Sequence, residues 1–334
     1  QNLGTREGKI ALDCSVRETR KPGQYCISTT DFFFPLVDSP FLQGRIGAAN
    51  VLSDLYAEGV EYCDFMLMLL ASCRDMPEEE RKICTKLMIE GFQHACAEAQ
   101  TPITGGQTVL NPWPIIGGVA TSIVSKDEYV SSDGAQVGDV VVLTKPLGTQ
   151  IAVNLHQWKT LENRHWKQCL DKQVCHELYD NQDEVEQSLV QVTEDMMHTA
   201  VCSMARLNRN GGRLMLKYHA HAATDVTGFG FLGHAQNLME NQVAQVSMEL
   251  HTLPCIAGSP AVNKNIMNFR LLEGYSAETS GGLMVCMKEA DAQGYMKELL
   301  ELDGCDSWIV GRVIESGGEE RKATIVDDYK IIEV

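Results

Sequence analysis

The sequence predicts an α/β chain in two parts, and three observations carry that expectation. Its 334 residues exceed what one hydrophobic core usually organises and suit two domains. Short apolar runs of strand character alternate with stretches of helical periodicity along the chain. A polar bridge, Ser131-Ser132-Asp133-Gly134-Ala135-Gln136-Val137-Gly138, interrupts the alternation, and a domain boundary placed there gives segments 1–138 and 139–334. Hydrophobic residues at 44% and charged residues at 22% are the balance of a folded chain rather than a disordered one.

The elements follow in order. Residues 9–13, Lys-Ile-Ala-Leu-Asp, read as a strand ending at Asp13, and 24–30 as a second strand that delivers Asp31 at its end. Pro35 and Pro40 break the chain into a loop. Over 42–58 the apolar positions Ile46, Ala49, Val51, Leu52 and Leu55 predict a helix, with Gly59 suited to its C-terminal cap. The apolar run 63–70 reads as a buried strand. Asp75-Met76-Pro77-Glu78-Glu79-Glu80 opens the next helix: the proline is early and the acids face the positive helix end. Its stripe is Ile83, Leu87, Met88, Phe92 and Ala95.

Thr104-Gly105-Gly106-Gln107-Thr108 reads as a glycine-containing turn and 115–124 as a strand. Past the bridge, 139–144 is a strand. The polar stretch 158–186 suits a surface insertion or exposed helices, and 189–207 a helix with apolar positions at 189, 192, 196, 200 and 204. Strands at 246–253, 282–287, 308–314 and 323–326 then alternate with helices near 233–240 and 290–300.

Charge narrows the function. Lysine and arginine number 28 against 45 aspartates and glutamates, a formal net charge of −17. Such a surface repels nucleic acid phosphates and anionic membranes, so neither is expected as a partner. No apolar run approaches the roughly 18 residues that span a bilayer. The first residues are polar without a signal-peptide core, and a cytoplasmic location is expected. The twelve cysteines are scattered, with no Cys-x-x-Cys pair and no zinc-type spacing, which predicts reduced thiols and no disulfide scaffold.

Several residues can carry chemistry. Asn50 and Asp54, four apart on a predicted helix, share a face and can offer oxygen to a hard cation; the same pattern suits a solvated face or an internal cap. Asp13 and Asp31 end predicted strands, where α/β proteins assemble sites and where aspartate also closes turns. Thr224-Asp225-Val226-Thr227-Gly228-Phe229-Gly230 leads an aspartate into a glycine-rich turn that can present backbone N–H groups to phosphate. It is neither a Walker motif nor a dinucleotide fingerprint. Glu278-Thr279-Ser280-Gly281-Gly282 is another small-residue turn, or a plain connector. No catalytic triad and no His-x-x-x-His helix pair stands out, and the methionines suit core filling.

Taken together, these runs resemble one family. Thr29-Thr30-Asp31-Phe32-Phe33-Phe34-Pro35, Gly44-Arg45-Ile46-Gly47-Ala48-Ala49-Asn50-Val51-Leu52-Ser53-Asp54, Thr104 to Trp113, Leu143-Thr144-Lys145-Pro146-Leu147-Gly148-Thr149-Gln150, Met204 to Arg209, Ala223 to Gly230 and Glu278 to Gly282 resemble selenophosphate synthetase, in order and over nearly the whole chain. The resemblance implies an α/β (α+β) fold of the two-domain aminoimidazole ribonucleotide synthetase type. It implies a homodimer formed through the first domain, ATP in a cleft, and Mg²⁺. By the same resemblance Asp13, Asn50, Asp54 and Asp225 would hold magnesium. Leu12, Asp13, Asp31, Asp54 and the turn Gly105-Gly106-Gln107-Thr108 would contact the nucleotide or partner-side phosphates.

The implied reaction is ATP + selenide + water giving selenophosphate, AMP and phosphate, with a selenium-delivery protein as a further expected partner. The acidic balance then makes sense. Carboxylates facing a triphosphate repel it by several kcal/mol at an effective dielectric of ~20, and magnesium between them reverses the sign. The family also carries a glycine-rich loop with a cysteine or selenocysteine, then a lysine, some tens of residues before the first metal aspartate. Only twelve residues precede Asp13 here, so little selenide-dependent activity is expected of this chain as it stands. A nucleotide-binding regulatory paralogue is the alternative. A related kinase with another acceptor fits less well, because the Asn50 to Asp54 and Gly105 to Trp113 runs argue against it.

Overall fold

Five strands between residues 15 and 125 build the first sheet: β1 (Ser15–Glu18), β2 (Gln24–Phe33), β3 (Phe65–Cys73), β4 (Ile103–Asn111) and β5 (Ile115–Ser125). The structure is a computed structural model and describes residues 12–171, 185–318 and 320–334. Strand order is β1-β2-β5-β3-β4, with only the β3–β4 pair parallel. Helices α1 (Pro40–Ala57) and α2 (Glu78–Glu98) close a core of Ile27, Leu52, Leu55, Met66, Phe92 and Ile116. Ser39 caps α1 by accepting the Leu42 N–H, and Pro40 occupies its first turn. Glycine sets how near the two helices come. A Cβ on Gly91 would stand 1.8 Å from the Phe41 carbonyl oxygen, and one on Gly44 2.0 Å from that of Met88.

The second sheet comprises β6 (Val140–Leu143), β7 (Ala222–Asp225), β8 (Val246–Cys255), β9 (Leu283–Met287), β10 (Trp308–Glu315) and β11 (Ala323–Glu333). Its order is β11-β8-β10-β6-β9-β7, antiparallel except between β11 and β8. Val141 and Leu143 face one core and Val142 another, so this sheet is buried on both sides and its central strands read as continuous apolar runs. Around it lie α3 (Thr149–Thr160), α4 (Arg164–Asp171), α5 (Val185–Ala205), α6 (Arg209–Lys217), α7 (Gly230–Asn241), α8 (Ser259–Asn265) and α9 (Glu289–Asp303). Helix α1 is buried on every side from Ile46 to Ala57 because it also packs on α5, α6 and β7 of this second half.

Several expectations need correction. Gly105 to Thr108 do not form a turn: they lie inside β4, paired with Leu67 to Leu70. No side chain is needed to hold that ladder, and Gly106 (φ +149°) could not carry one, since a Cβ would fall 2.0 Å from the Met68 carbonyl oxygen. Asp13 does not end a strand; it lies in a bend before β1. The expected strand residues 9–11 lie outside the described residues, as do 172–184 of the expected insertion. Trp158 and Trp166 of that stretch are buried rather than exposed, because they pack on the second core. Asp31 lies within β2, which continues to Phe33. Every described cysteine is a free thiol, as the scattered spacing predicts.

Candidate active site at the domain interface

Helix α1 carries three polar side chains into the contact between the halves. Asn50, Ser53 and Asp54 fall within little more than a turn and so point the same way. Asp54 accepts a hydrogen bond from the Thr29 hydroxyl of β2. Asn50 Nδ2 donates to Asp31 Oδ2 at 2.8 Å, and its Oδ1 accepts the Ser280 N–H at 2.8 Å. Ser53 Oγ donates to Asp225 Oδ2 at 2.6 Å and accepts from Asn208 Nδ2 at 2.9 Å. Asn208 also donates to the Gly281 carbonyl at 2.7 Å.

Asp13 joins from the other direction. Its Oδ1 accepts from Thr224 Oγ1 at 3.0 Å, while its Oδ2 is buried with no hydrogen-bond partner. One ligand atom each from Asp13, Asp225 and His234 lie within 4.8 Å of one another. The two halves are thus stitched by the side chains that would otherwise repel.

The electrostatics follow from that crowding. Burial first, then the charges of Asp225 and Glu58, hold the Asp13 carboxyl well above the usual carboxylate range. Burial, then Asp225, Asp31 and Asp13, do the same to Asp54. Asp225 is pushed up to about 6 by burial, against the Ser53 hydrogen bond. Asp31 is raised by burial and drawn back by Asn50. Glu58, just past the end of α1, is raised to about 8 by burial and then Asp133, and its Oε1 has no partner. A cluster of carboxylates that raise one another this way lacks positive charge.

Two turns frame the cluster. His234 of α7 is lowered to about 4 by burial, so it is neutral at physiological pH. Its Nε2 accepts the Phe229 N–H at 3.3 Å and lies 3.2 Å from Thr227 Oγ1, which leaves the ring proton on Nδ1 and pins the glycine-rich turn. Gly230 (φ +76°) is required there, because a Cβ would meet the Gly274 and Ser276 carbonyl oxygens at 2.7 Å. In the second turn Glu278 accepts from Gly148 N at 2.7 Å, from Thr149 N at 2.9 Å and from the Thr149 hydroxyl, capping α3. Ser280, at φ +46°, offers its carbonyl to the buried Lys145 Nζ at 2.8 Å, and Lys145 also donates to the Arg206 carbonyl at 2.7 Å.

Asp13, Asp31, Asn50, Asp54 and Asp225 therefore lie together at the contact between the halves. Leu12 precedes Asp13 and packs on the second core. Gly105, Gly106, Gln107 and Thr108 do not join them within the chain: β4 lies three strand spacings, about 14 Å, from β2 across the sheet. Sequence reasoning missed Glu58, His234, Ser53 and Thr29. The only available signals were spacing on α1 and the position of His234 one turn after Gly230.

Comparison with known proteins agrees with this fold. The AIR synthase related protein N-terminal domain matches residues 12–124 and the C-terminal domain residues 136–323. Solved structures of similar fold include thiamine monophosphate kinase from Aquifex aeolicus (TM-score 0.63, 18% identity, 96% of this chain and 92% of that one). Another is the hydrogenase maturation protein HypE in complex with ATP (TM-score 0.62, 18% identity, 91% and 80%). Fold and domain matches define a two-domain AIR synthase related protein. Among curated relatives, selenide, water dikinase of Dictyostelium discoideum is 48% identical over 336 residues, 99% of this chain and 88% of that protein. Selenide, water dikinase 2 of Homo sapiens is 48% identical over 329 residues, 97% and 69%. The chain belongs to the selenide, water dikinase family.

Proposed function

We propose that the protein makes selenophosphate, consuming ATP, selenide and water and releasing AMP and phosphate, and so supplies selenium for selenocysteine synthesis. Family membership supports the reaction. The observation that carries the site is the buried carboxylate cluster drawn from both halves, with Asp13 Oδ2 left without a partner.

The donor set fits magnesium: hard carboxylate oxygens, one of them orphaned, in a pocket short of positive charge. Asp13, Asp54 and Asp225 would hold it. Asn50, with one end on Asp31 and the other on Ser280, would set the spacing between the two halves. Bound there, Mg²⁺ would neutralise triphosphate and phosphoryl charge. The chain's own share is placement. Ser53, Thr29 and Thr224 each donate to one carboxylate and fix its rotamer. The turns held by His234 and Lys145 set the walls of the cleft.

Gln107 and Thr108 lie on an exposed edge strand, and an exposed apolar surface of Phe32, Phe34, Leu110 and Trp113 adjoins it. Both suit a homodimer through the first sheet, in which β4 reaches partner-side phosphates. Free thiols and an acidic surface suit a cytoplasmic enzyme.

Phosphorus NMR of the full-length protein with ATP, Mg²⁺ and selenide should show selenophosphate and AMP. Asp54→Ala and Asp225→Ala should each lower turnover by about 10³-fold or more, since each removes charge that no neighbour replaces. Unchanged turnover in either variant refutes the metal assignment.

A further inference from the structure

Asp13, Asp225 and His234 reach one corner of the cluster from three separate segments: the bend before β1, the end of β7 and one turn into α7. One ligand atom from each lies within 4.8 Å of the other two. Among the described residues this is the one group of three metal-ligating side chains gathered so closely. Asp225 is 1% exposed and His234 6%. Asp13 Oδ2 is buried there with no hydrogen-bond partner, its other oxygen being held by Thr224.

The imidazole can turn a lone pair to a cation. In the tautomer that the glycine-rich turn imposes, Nε2 is the bare nitrogen. The Phe229 N–H reaches it at 3.3 Å, beyond the roughly 3.2 Å at which ordinary N–H bonds end. Phe229 is exposed, so water can take that N–H when the nitrogen is engaged elsewhere. Spacing suits an ion as well. Opposite ligands on an octahedral ion with bonds of about 2.1 Å stand about 4.2 Å apart, so a contraction of at most about 0.6 Å closes the set. Donor chemistry then chooses among ions. Magnesium takes oxygen, whereas first-row transition dications bind imidazole nitrogen and carboxylate together.

We propose that Asp13, Asp225 and His234 form a mixed oxygen–nitrogen site for a divalent first-row transition ion, with His234 Nε2 as a direct ligand. The proposal rests on the cluster binding divalent ions, as read above, and adds a second chemistry to it: the corner at His234 prefers such an ion to magnesium. His234 is then a ligand as well as the pin of the glycine-rich turn.

Manganese tests this, because its unpaired electrons report the nuclei bonded to it. Electron spin-echo spectroscopy of the protein with less than one equivalent of Mn²⁺ should show a directly bound histidine nitrogen. Histidine labelled with the heavier nitrogen isotope should alter that signal. His234→Gln should abolish the coupling, weaken Mn²⁺ binding by at least about tenfold and leave Mg²⁺ binding nearly unchanged. Isotope exchange is read on the native chain, so the test stands even if loss of His234 unsettles the turn. Bound Mn²⁺ without histidine coupling, or a coupling that survives in His234→Gln, overturns this inference and leaves the magnesium reading intact. A protein that binds no Mn²⁺ at all overturns both.

Discussion

At Asp225 a carboxylate is held against its own solvation. Burial raises it to about 6, while the Ser53 hydroxyl at 2.6 Å keeps its orientation. Asparagine preserves the acceptor and removes the charge. Asp225→Asn should therefore raise stability at neutral pH without magnesium by up to about 3 kcal/mol, since one pKa unit is worth about 1.4 kcal/mol. Thermal melting with and without Mg²⁺ checks this: magnesium should stabilise the native protein and not the variant, and a lower melting temperature for the variant would contradict it.

Glu278 gives the pH dependence. It titrates at about 7 in the fold against an ordinary 4.5, because burial outweighs the three donors it accepts. Between those values the native state keeps a proton that the unfolded chain has lost. Stability is then highest below about 4.5 and falls as pH rises through about 7, a loss of about 3 kcal/mol from this group. Relative to Glu278→Gln, which does not titrate, the native melting temperature should fall steadily between pH 5 and 7.5. A constant difference would rule out the buried charge.

Among elements, α1 bears most of the construction. It fills the first core, touches the second half and presents Asn50, Ser53 and Asp54, all from one apolar-periodic stretch legible in the sequence. Its fit against α2 depends on backbone contact at two glycines. Gly91→Ala should cost about 2–4 kcal/mol, because the new methyl meets the Phe41 carbonyl at 1.8 Å and backbone yields poorly. Urea denaturation measures it; a loss under 1 kcal/mol, about the effect of an ordinary surface change, would mean that the helices slide apart freely. Strand β4 is the contrary case. Gly-Gly-Gln-Thr carries turn chemistry and no alternating apolar face, so nothing local announces a strand. The ladder to β3 makes it one, by backbone bonds that any sequence with room for them can form.

In the whole molecule, the first sheet ends on an exposed nine-residue edge strand beside Phe32 (61% exposed), Leu110 (65%) and Trp113 (58%). Such an edge left open invites association with another strand. We expect light scattering to show a dimer, and Leu110→Glu with Trp113→Glu to shift it to a monomer with little ATP turnover. A native monomer would remove the dimer from the proposal.

By itself the sequence determined the alternation of strands and helices, the polar bridge between the halves, and the glycine turn that follows Asp225. These are written in local periodicity and turn residues, which act over a few positions. Only the tertiary structure decided that Asp13 sits in a bend, that Glu58 and His234 face the cluster, and that Gly105 to Thr108 run along an edge. Those outcomes depend on packing between segments far apart in the chain, and no short window of residues encodes which distant surfaces will meet.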